Sequence, residues 1–302
     1  MMESDNLRFT KLPLNTGSGA IPALGFGTLI PDPVATKNAT KAALETGFRT
    51  FDTAERYGTE KQVGEAIKEV FVITKLWNTN HRPERVKPAF EASLKRLQLD
   101  YIDLYLIHTP FAFQPGDNHD PRDASGNVIY DTGVTLADTW GALENLVHEG
   151  RCKAIGLSDL SLEKVTEIVE AAAIKPAVIH LESHPYLPEW DLLDYCRKNG
   201  IVLQAFAPLG HNSEPNLLAD PIITSIAARV GKTPAQVALA WAIQRGTALL
   251  TTSKTPKRIA ENFDISALPE DAMREINEGI KLRVRLNAVV QTGVPGFIPR
   301  KK

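Results

Sequence analysis

Short apolar runs, each followed by a longer stretch of helical periodicity, recur eight times along this chain. That alternation restricts the fold more than any other feature. Runs suited to strands fall at residues 24–27, 48–52, 70–74, 102–107, 153–157, 177–181, 202–206 and 248–250. Helical patterns come after them at 33–46, 60–68, 83–97, 135–149, 162–172, 189–198, 235–244 and 256–263. A strand that returns to its neighbour through a helix lies parallel to it, so eight such units predict a closed (β/α)8 barrel of the TIM type. With 302 residues, 43% of them hydrophobic and 23% charged, the chain is long enough to bury a large core. Neither a linker nor a shift of composition divides it, so residues 1–302 are expected to form a single barrel domain.

Three segments stand outside the eightfold count. Residues 9–14 and 21–24 flank the glycine-bearing run Asn15-Thr16-Gly17-Ser18-Gly19 and read as an N-terminal β-hairpin; its expected place is a plug at the barrel bottom. Residues 110–135 form a long polar insertion, the kind of loop that becomes a lid or a binding wall. After residue 263 come a helix at 269–280 and a tail, 281–302, whose Val289, Val290, Val294 and Phe297 are expected to fold over the barrel mouth. One junction is too tight: with the helix ending at Lys68 and the strand starting at Val70, only Glu69 would connect two antiparallel elements, where about two to six residues are usual. The expectation is that residues are missing from the chain near Lys68–Phe71.

Formal charge is −2, with no long basic run, which argues against nucleic acid and anionic membranes as partners. The start, MMESDNLRFTKL, lacks the basic and apolar parts of a secretory signal, and no stretch reaches the length of a membrane-spanning helix. Two cysteines, Cys152 and Cys196, make no disulfide framework; a reduced, cytoplasmic setting is expected. Asp117-Asn118-His119-Asp120 lacks the spacing of a calcium loop, so no metal is expected.

The chemistry concentrates in Gly47–Gly64, GFRTFDTAERYGTEKQVG, where Asp52 ends a predicted strand and Tyr57 lies in the loop after it. In a barrel of this type, strand ends and the loops beyond them hold the reacting groups. The run resembles the signature of the aldo-keto reductases, which also need a lysine and a histidine at later strand ends. Lys75 in VITKLW and His108 in YLIHTP supply them. The resemblance covers residues 24–263 and implies hydride transfer from a nicotinamide to a carbonyl carbon. Negative charge then builds on the oxygen and calls for a proton donor. Tyr57 takes that role, Lys75 is expected to bring the phenol's pKa down from about 10, Asp52 holds Lys75, and His108 orients the carbonyl.

No G-x-G-x-x-G joins a strand to a helix, so a Rossmann domain is disfavoured. Ser253-Lys-Thr-Pro-Lys-Arg258 offers an anion site instead, with Thr255 as N-cap, Pro256 at the first helical position and free N–H groups beyond. It is similar to the family's adenosine 2′-phosphate site, which places Ser253, Arg258, Glu261 and Asn262 against the cofactor, with Lys254 or Lys257 as the cation that makes up for Thr252. The resemblance adds Gly27 and Thr28 at the first strand end, Ser158, Asp159 and His180 near the nicotinamide, and Phe206 stacked on it. Ala207, Leu209 and Gly210 continue along the pyrophosphate. Three departures stand out: Thr252 replaces a lysine, Asp159 an asparagine, and Ile179-His180 an Asn-Gln pair. NADPH is the expected cofactor, with NADH left open by Thr252. An ionised Asp159 only accepts hydrogen bonds, so Ser158 or His180 is expected to donate to the carboxamide.

Leu29, Arg56, Trp77, Thr109, Phe111 and Phe113 are the expected substrate wall. Leu29 and Thr109 stand where family members carry tryptophans, which implies a wider pocket suited to ketones or bulky carbonyls. The expectation is thus a monomeric, NADPH-dependent reductase of a small carbonyl compound. Two rivals are a cofactor-binding regulatory subunit with little turnover, and a metal-dependent barrel hydrolase, for which no convincing ligand set exists.

Overall fold

The computed structural model describes residues 6–67 and 69–287. Eight parallel strands close into a barrel in the order β10, β3, β4, β5, β6, β7, β8, β9. They are β3 (Leu24–Gly27), β4 (Thr50–Asp52), β5 (Phe71–Leu76), β6 (Ile102–Ile107), β7 (Cys152–Ser158), β8 (Val178–Glu182), β9 (Val202–Phe206) and β10 (Ala248–Thr251). Around them pack α1 (Pro33–Thr46), α2 (Glu60–Gly64), α3 (Pro83–Leu97), α4 (Leu136–His148), α5 (Leu162–Ala171), α6 (Trp190–Lys198), α8 (Pro234–Gln244) and α9 (Pro256–Phe263). This is the expected barrel. A hairpin of β1 (Lys11–Pro13) and β2 (Ala20–Pro22) precedes it.

The hairpin does plug the bottom. Leu14 and Ile21 join Ile73, Leu104, Leu106, Ala154, Ala177, Val178, Val202 and Ala248 in one apolar cluster. Most of those barrel residues lie toward the starts of their strands, and Ile21 is fully buried, a contact worth about 1.5–3 kcal/mol for such a side chain. Aromatic residues fill the layer between strands and helices: Phe48 meets Phe26 at 5.6 Å and Phe263 at 5.0 Å. The close fit shows at Gly156, where a Cβ would come within 2.4 Å of the Val178 carbonyl oxygen.

Local signals account for most helix ends. Thr135 and Thr233 form capping boxes with Asp138 and Gln236. Two helices differ from expectation. α7 (Pro221–Val230) is additional to the predicted set, although Asp220 caps its start, Pro221 opens it and Gly231, at φ 65°, ends it. α2 stops at Gly64, four residues before Lys68, because that turn abuts α3: a Cβ on Gly64 would lie 2.3 Å from the Leu97 carbonyl oxygen. With β5 starting at Phe71, the connection between helix and strand is residues 65–70, within which Glu69 takes φ 51°. The one-residue connection that suggests missing residues is therefore not the one the chain makes. The final helix is α10 (Glu270–Gly279).

The segment after α10 crosses the C-terminal end of the barrel. The amides of Leu286 and Asn287 both donate to Glu182 Oε1, at 2.6 and 2.9 Å, where β8 ends. Val289, Val290, Val294 and Phe297 lie outside the described residues. Among the described residues no helix is long and apolar enough to cross a membrane, and none groups its His, Cys, Asp and Glu side chains as a metal site.

Candidate active site

Strand register brings the site together. Asp52 ends β4, Lys75 lies near the end of β5, beside it, and His108 comes directly after β6, the next strand along. Side chains at the ends of neighbouring parallel strands converge on one rim. Tyr57 reaches that rim through a single 3₁₀ turn, Glu55–Tyr57, closed by Gly58 in the left-handed region at φ 69°.

Lys75 is almost wholly buried and its Nζ is surrounded by oxygen. It donates to Asp52 Oδ1 at 2.5 Å and to the Thr53 carbonyl at 2.8 Å, and it stands 3.5 Å from Tyr57 Oη. The last distance is long for a hydrogen bond. Burial lowers the Lys75 pKa against the attraction of Asp52, and burial raises that of Asp52 against the attraction of Lys75. The expected downward pull on Tyr57 is not what this arrangement gives. Burial, followed by the charges of Asp52 and Asp159, holds the phenol well above its ordinary range. The ammonium is engaged by its own carboxylate, so Tyr57 is a neutral phenol.

His108 completes the group. Its ring lies 5.8 Å from that of Tyr57 and 5.2 Å from that of Trp77, edge-on to both. Burial, then Lys75, holds it neutral, and its buried Nδ1 has no partner. A neutral imidazole can donate from one nitrogen and accept at the other. A phenol, an ammonium and an imidazole thus face one small volume: they can give a proton to an oxygen placed between Tyr57 and His108, and hold the charge that forms there.

The expected cofactor residues divide between the middle of this rim and its edge. Thr28 donates from its amide and hydroxyl to the Asp52 carbonyl, at 2.9 and 2.8 Å. Ser158 ends β7 and Asp159 comes next, at φ 60°, its amide donating to the His180 carbonyl at 2.9 Å. Burial pushes the Asp159 carboxyl up to about 7. His180 is neutral through burial, keeps Nδ1 unpartnered, and lies 5.2 Å from the Phe206 ring. Ala207, at φ 47°, and Gly210, at φ 75°, bend the chain beyond β9, with Leu209 between them.

At the edge, Thr252 donates its hydroxyl to the Gly27 carbonyl, tying β10 to β3 at 2.8 Å. Ser253 Oγ accepts from the Thr255 amide at 3.1 Å. Thr255 occupies the N-cap position but its side chain caps nothing, so the first turn of α9 keeps its donors free. Lys254, Lys257 and Arg258 are exposed around it, while Glu261 stands 3.8 Å from Lys257 and Asn262 bonds Thr251 at 2.8 Å. Unpartnered imidazole nitrogens at the centre and an uncapped, cation-ringed helix start at the edge suit a ligand with a polar ring at one end and phosphates at the other.

The expected substrate residues are not alike. Arg56 lies over the Trp77 ring at 5.4 Å, and Phe113 meets the same ring edge-on at 5.9 Å. Leu29 is half exposed beside Thr28. Thr109 and Phe111 are buried instead, the Thr109 hydroxyl bonded to Asn78 Oδ1 at 2.8 Å. The insertion packs against this group: Trp77 Nε1 donates to the His119 carbonyl, and Phe113 bridges to Tyr130.

One buried set lies outside the residues that sequence reasoning singles out. Glu182 pairs with His184 Nε2 at 3.0 Å and Arg285 at 3.4 Å, and Arg285 also reaches Glu189 at 3.1 Å. A charged residue directly after the apolar run 177–181, which the structure includes in β8, is the available signal.

A parallel barrel with a lysine-backed tyrosine and a histidine at its C-terminal rim defines a class of carbonyl-reducing oxidoreductases. Residues 23–281 match the Aldo/keto reductase family. The chain is 41% identical to aldo-keto reductase family 1 member A1 of Rattus norvegicus, over 85% of this chain and 86% of that protein. To the Homo sapiens protein of the same name it is 40% identical, over 87% of each chain. Its fold is similar to that of the aldose reductase of Schistosoma japonicum, with a TM-score of 0.87, 38% identity, and 93% and 95% of the two chains covered. The chain belongs to the aldo/keto reductase family. It is an oxidoreductase that reduces an aldehyde or ketone with a nicotinamide cofactor, and nothing supports the regulatory-subunit reading.

Proposed function

We propose that Tyr57 protonates the carbonyl oxygen of the substrate, with His108 orienting that oxygen and the Lys75–Asp52 pair supplying the fixed charge behind it. The observation that carries this reading is the 3.5 Å approach of Lys75 Nζ to a neutral Tyr57 hydroxyl on the rim that His108 shares. As negative charge grows on the substrate oxygen, the phenol's proton moves toward it, and the phenolate left behind faces the ammonium. Lys75 therefore favours the state after proton transfer more than the state before it, as transition-state stabilisation requires. Asp52 and the Thr53 carbonyl keep the ammonium from turning away.

The cofactor, when bound, supplies the hydride. The proposal is NADPH, supported by the uncapped start of α9 with Ser253, Lys254 and Arg258 around it; Glu261 and Asn262 follow on the next turn of the same helix. Thr252, bonded to Gly27, adds no charge, so NADH is accepted more weakly rather than excluded. Ser158, Asp159 and His180 hold the nicotinamide end, Phe206 flanks it, and Gly27, Thr28, Ala207, Leu209 and Gly210 line the path between. Leu29, Arg56, Trp77 and Phe113 meet the substrate, with Thr109 and Phe111 supporting them from behind.

The chain is further proposed to act as one domain over residues 1–302 and as a monomer. A reducing, cytoplasmic setting suits Cys152 and Cys196, both buried and free, with thiol pKa values pushed up to about 12 by burial. The test is oxidation of NADPH and, side by side, NADH, upon addition of each member of a panel of aromatic aldehydes, ketones and keto esters. Turnover with NADPH exceeding that with NADH is expected. A chain that binds NADPH yet reduces no member of the panel would return the regulatory-subunit reading to the field.

A further inference from the structure

One buried amide lies inside the barrel without a partner. Gln204, in the middle of β9, is fully buried, yet neither its Nε2 nor its Oε1 makes a hydrogen bond. Burying an unpaired amide is costly. Val202, two residues earlier on the same face of β9, belongs to the apolar cluster around the hairpin plug. A side chain that only filled space at 204 would be apolar too.

The pleat decides what faces this amide. Side chains two apart along a strand share a face. Val178 and Val202 both join the plug cluster inside the barrel, so His180 on β8 and Gln204 on β9 point inward one layer higher. The two are paired in register, and on its other side Gln204 is paired with Ala248, which has no polar side-chain atom to offer. His180 has one: its Nδ1 is buried and equally without a partner. The side chains are near enough for the amide to influence the charge of the ring. An orphaned amide and an orphaned ring nitrogen thus stand side by side, short of a formed hydrogen bond. Burial, then the charge of Lys75, keeps the imidazole neutral, so it carries one proton, on one of its two nitrogens. If Nδ1 accepts from Gln204 Nε2, the proton is on Nε2, the nitrogen left for a ligand at the rim. The oxygen of a nicotinamide carboxamide calls for such a donor. Asp159 next to it only accepts when ionised, and its amide already donates to the His180 carbonyl.

We propose that Gln204 is a positioning residue that holds His180 in its Nε2–H tautomer, so that the imidazole donates to the carboxamide oxygen of the cofactor. This rests on the rim holding a nicotinamide, and it accounts for an uncharged amide at 204. A carboxylate of the same length would only accept, draw the proton to Nδ1 and leave Nε2 without one. Gln204 acts through His180 and does not itself meet the cofactor.

The experiment reads the tautomer directly, by proton–nitrogen NMR correlation on protein carrying isotope-labelled histidine, with His180→Gln identifying the signal. Wild type should show the proton on Nε2. Gln204→Met, similar in volume but without a donor, should lose that preference, and Gln204→Glu should show the proton on Nδ1. In fluorescence titrations Gln204→Met should bind NADP+ about tenfold more weakly, the usual effect of losing one such hydrogen bond, and Gln204→Glu more weakly still. The acetylpyridine analogue of NADP+, which keeps the carbonyl oxygen but lacks the amide N–H groups, should lose affinity by the same factor. A wild-type proton on Nδ1 overturns the proposal even where neither variant folds. So does a tautomer that both variants leave unchanged, an NADP+ affinity that stays constant while the tautomer moves, or a loss confined to NADP+ and absent with the analogue. None of these results touches the reading of the rim as a carbonyl-reducing site if aldehydes are still reduced. A protein that shows the expected tautomers and binds no NADP+ overturns the donation together with the cofactor reading.

Discussion

At its N-terminal end the barrel is closed by aliphatic side chains from six strands and the hairpin, whereas its C-terminal end gathers Asp52, Lys75, His108, Asp159, His180 and Glu182, all buried. Both ends are made by the same strands, in the same register. The difference lies in the loops by which the chain leaves the C-terminal end. Five non-glycine residues with positive φ, namely Asp159, Glu189, Ala207, His211 and Asn212, sit in the segments after β7, β8 and β9. Each such residue costs on the order of 1–3 kcal/mol, and buried polar atoms without partners, such as His108 Nδ1 and His180 Nδ1, add a comparable cost each. A sealed, apolar end is what lets the opposite end remain strained and polar.

If the two ends divide function from stability in this way, substitutions should separate cleanly. The largest effect is expected for Tyr57→Phe, which should cut kcat by about 10²–10⁴-fold, the range for a lost general acid, while NADPH binding by fluorescence titration stays nearly intact. Equal loss of both would break the assignment of the proton to Tyr57. Next comes Ile21→Ala at the plug. It should destabilise the protein by about 2–4 kcal/mol in urea unfolding, with kcat per folded molecule preserved. A fall in kcat as large as the fall in stability would show that the ends are coupled after all.

How much of the molecule is legible in its sequence depends on the range over which each signal acts. Strand positions and the convergence of Asp52, Tyr57, Lys75 and His108 come from local patterns plus one topological rule, and both hold here. Features set by distant partners leave no such trace. Ile67 is buried and extends the apolar period of α2, so only the approach of Leu97 to Gly64 ends that helix early. Arg285 looks like one more tail cation until Glu182, 103 residues away, is found beside it. Thr109 and Phe111 come just after His108 in sequence, yet Asn78 and the insertion draw them into buried positions. The neutral state of Tyr57 is likewise hidden, because proximity to Lys75 lowers a phenol's pKa only where burial and a carboxylate already holding the ammonium do not outweigh it.

Asp159 gives a third, smaller test, in which the cost of a polar rim can be titrated. Its carboxyl is raised from 3.8 to about 7 by burial, opposed by Arg285 and Lys75 and assisted by Glu182. Between those two values the folded state holds a proton that the unfolded state has lost, so stability falls as pH rises through this window. Below it the group costs nothing extra; above it the penalty is complete. Asp159→Asn should therefore match wild type near pH 4, gain steadily to pH 7, and exceed it by on the order of 1–3 kcal/mol above that. A difference that does not change with pH would mean the carboxyl is not buried against its charge.

The smallest effect is expected at the outer edge of the same end, where the site meets water. Arg258 is exposed in the first turn of α9, next to Lys257 among the free donors of the helix start. There it can contribute a charge-assisted bond to a phosphate without having been stripped of solvent first. Exposed pairs are weak and screened, so Arg258→Met should weaken NADPH binding by only about tenfold, less as salt is raised. NADH, which lacks the 2′-phosphate, should be nearly indifferent. The decisive quantity is the ratio of the two affinities. If Arg258→Met weakens both cofactors equally, the residue acts through the fold of α9 and not through the phosphate, and the edge of the rim would belong with the structural end of the barrel instead of the chemical one.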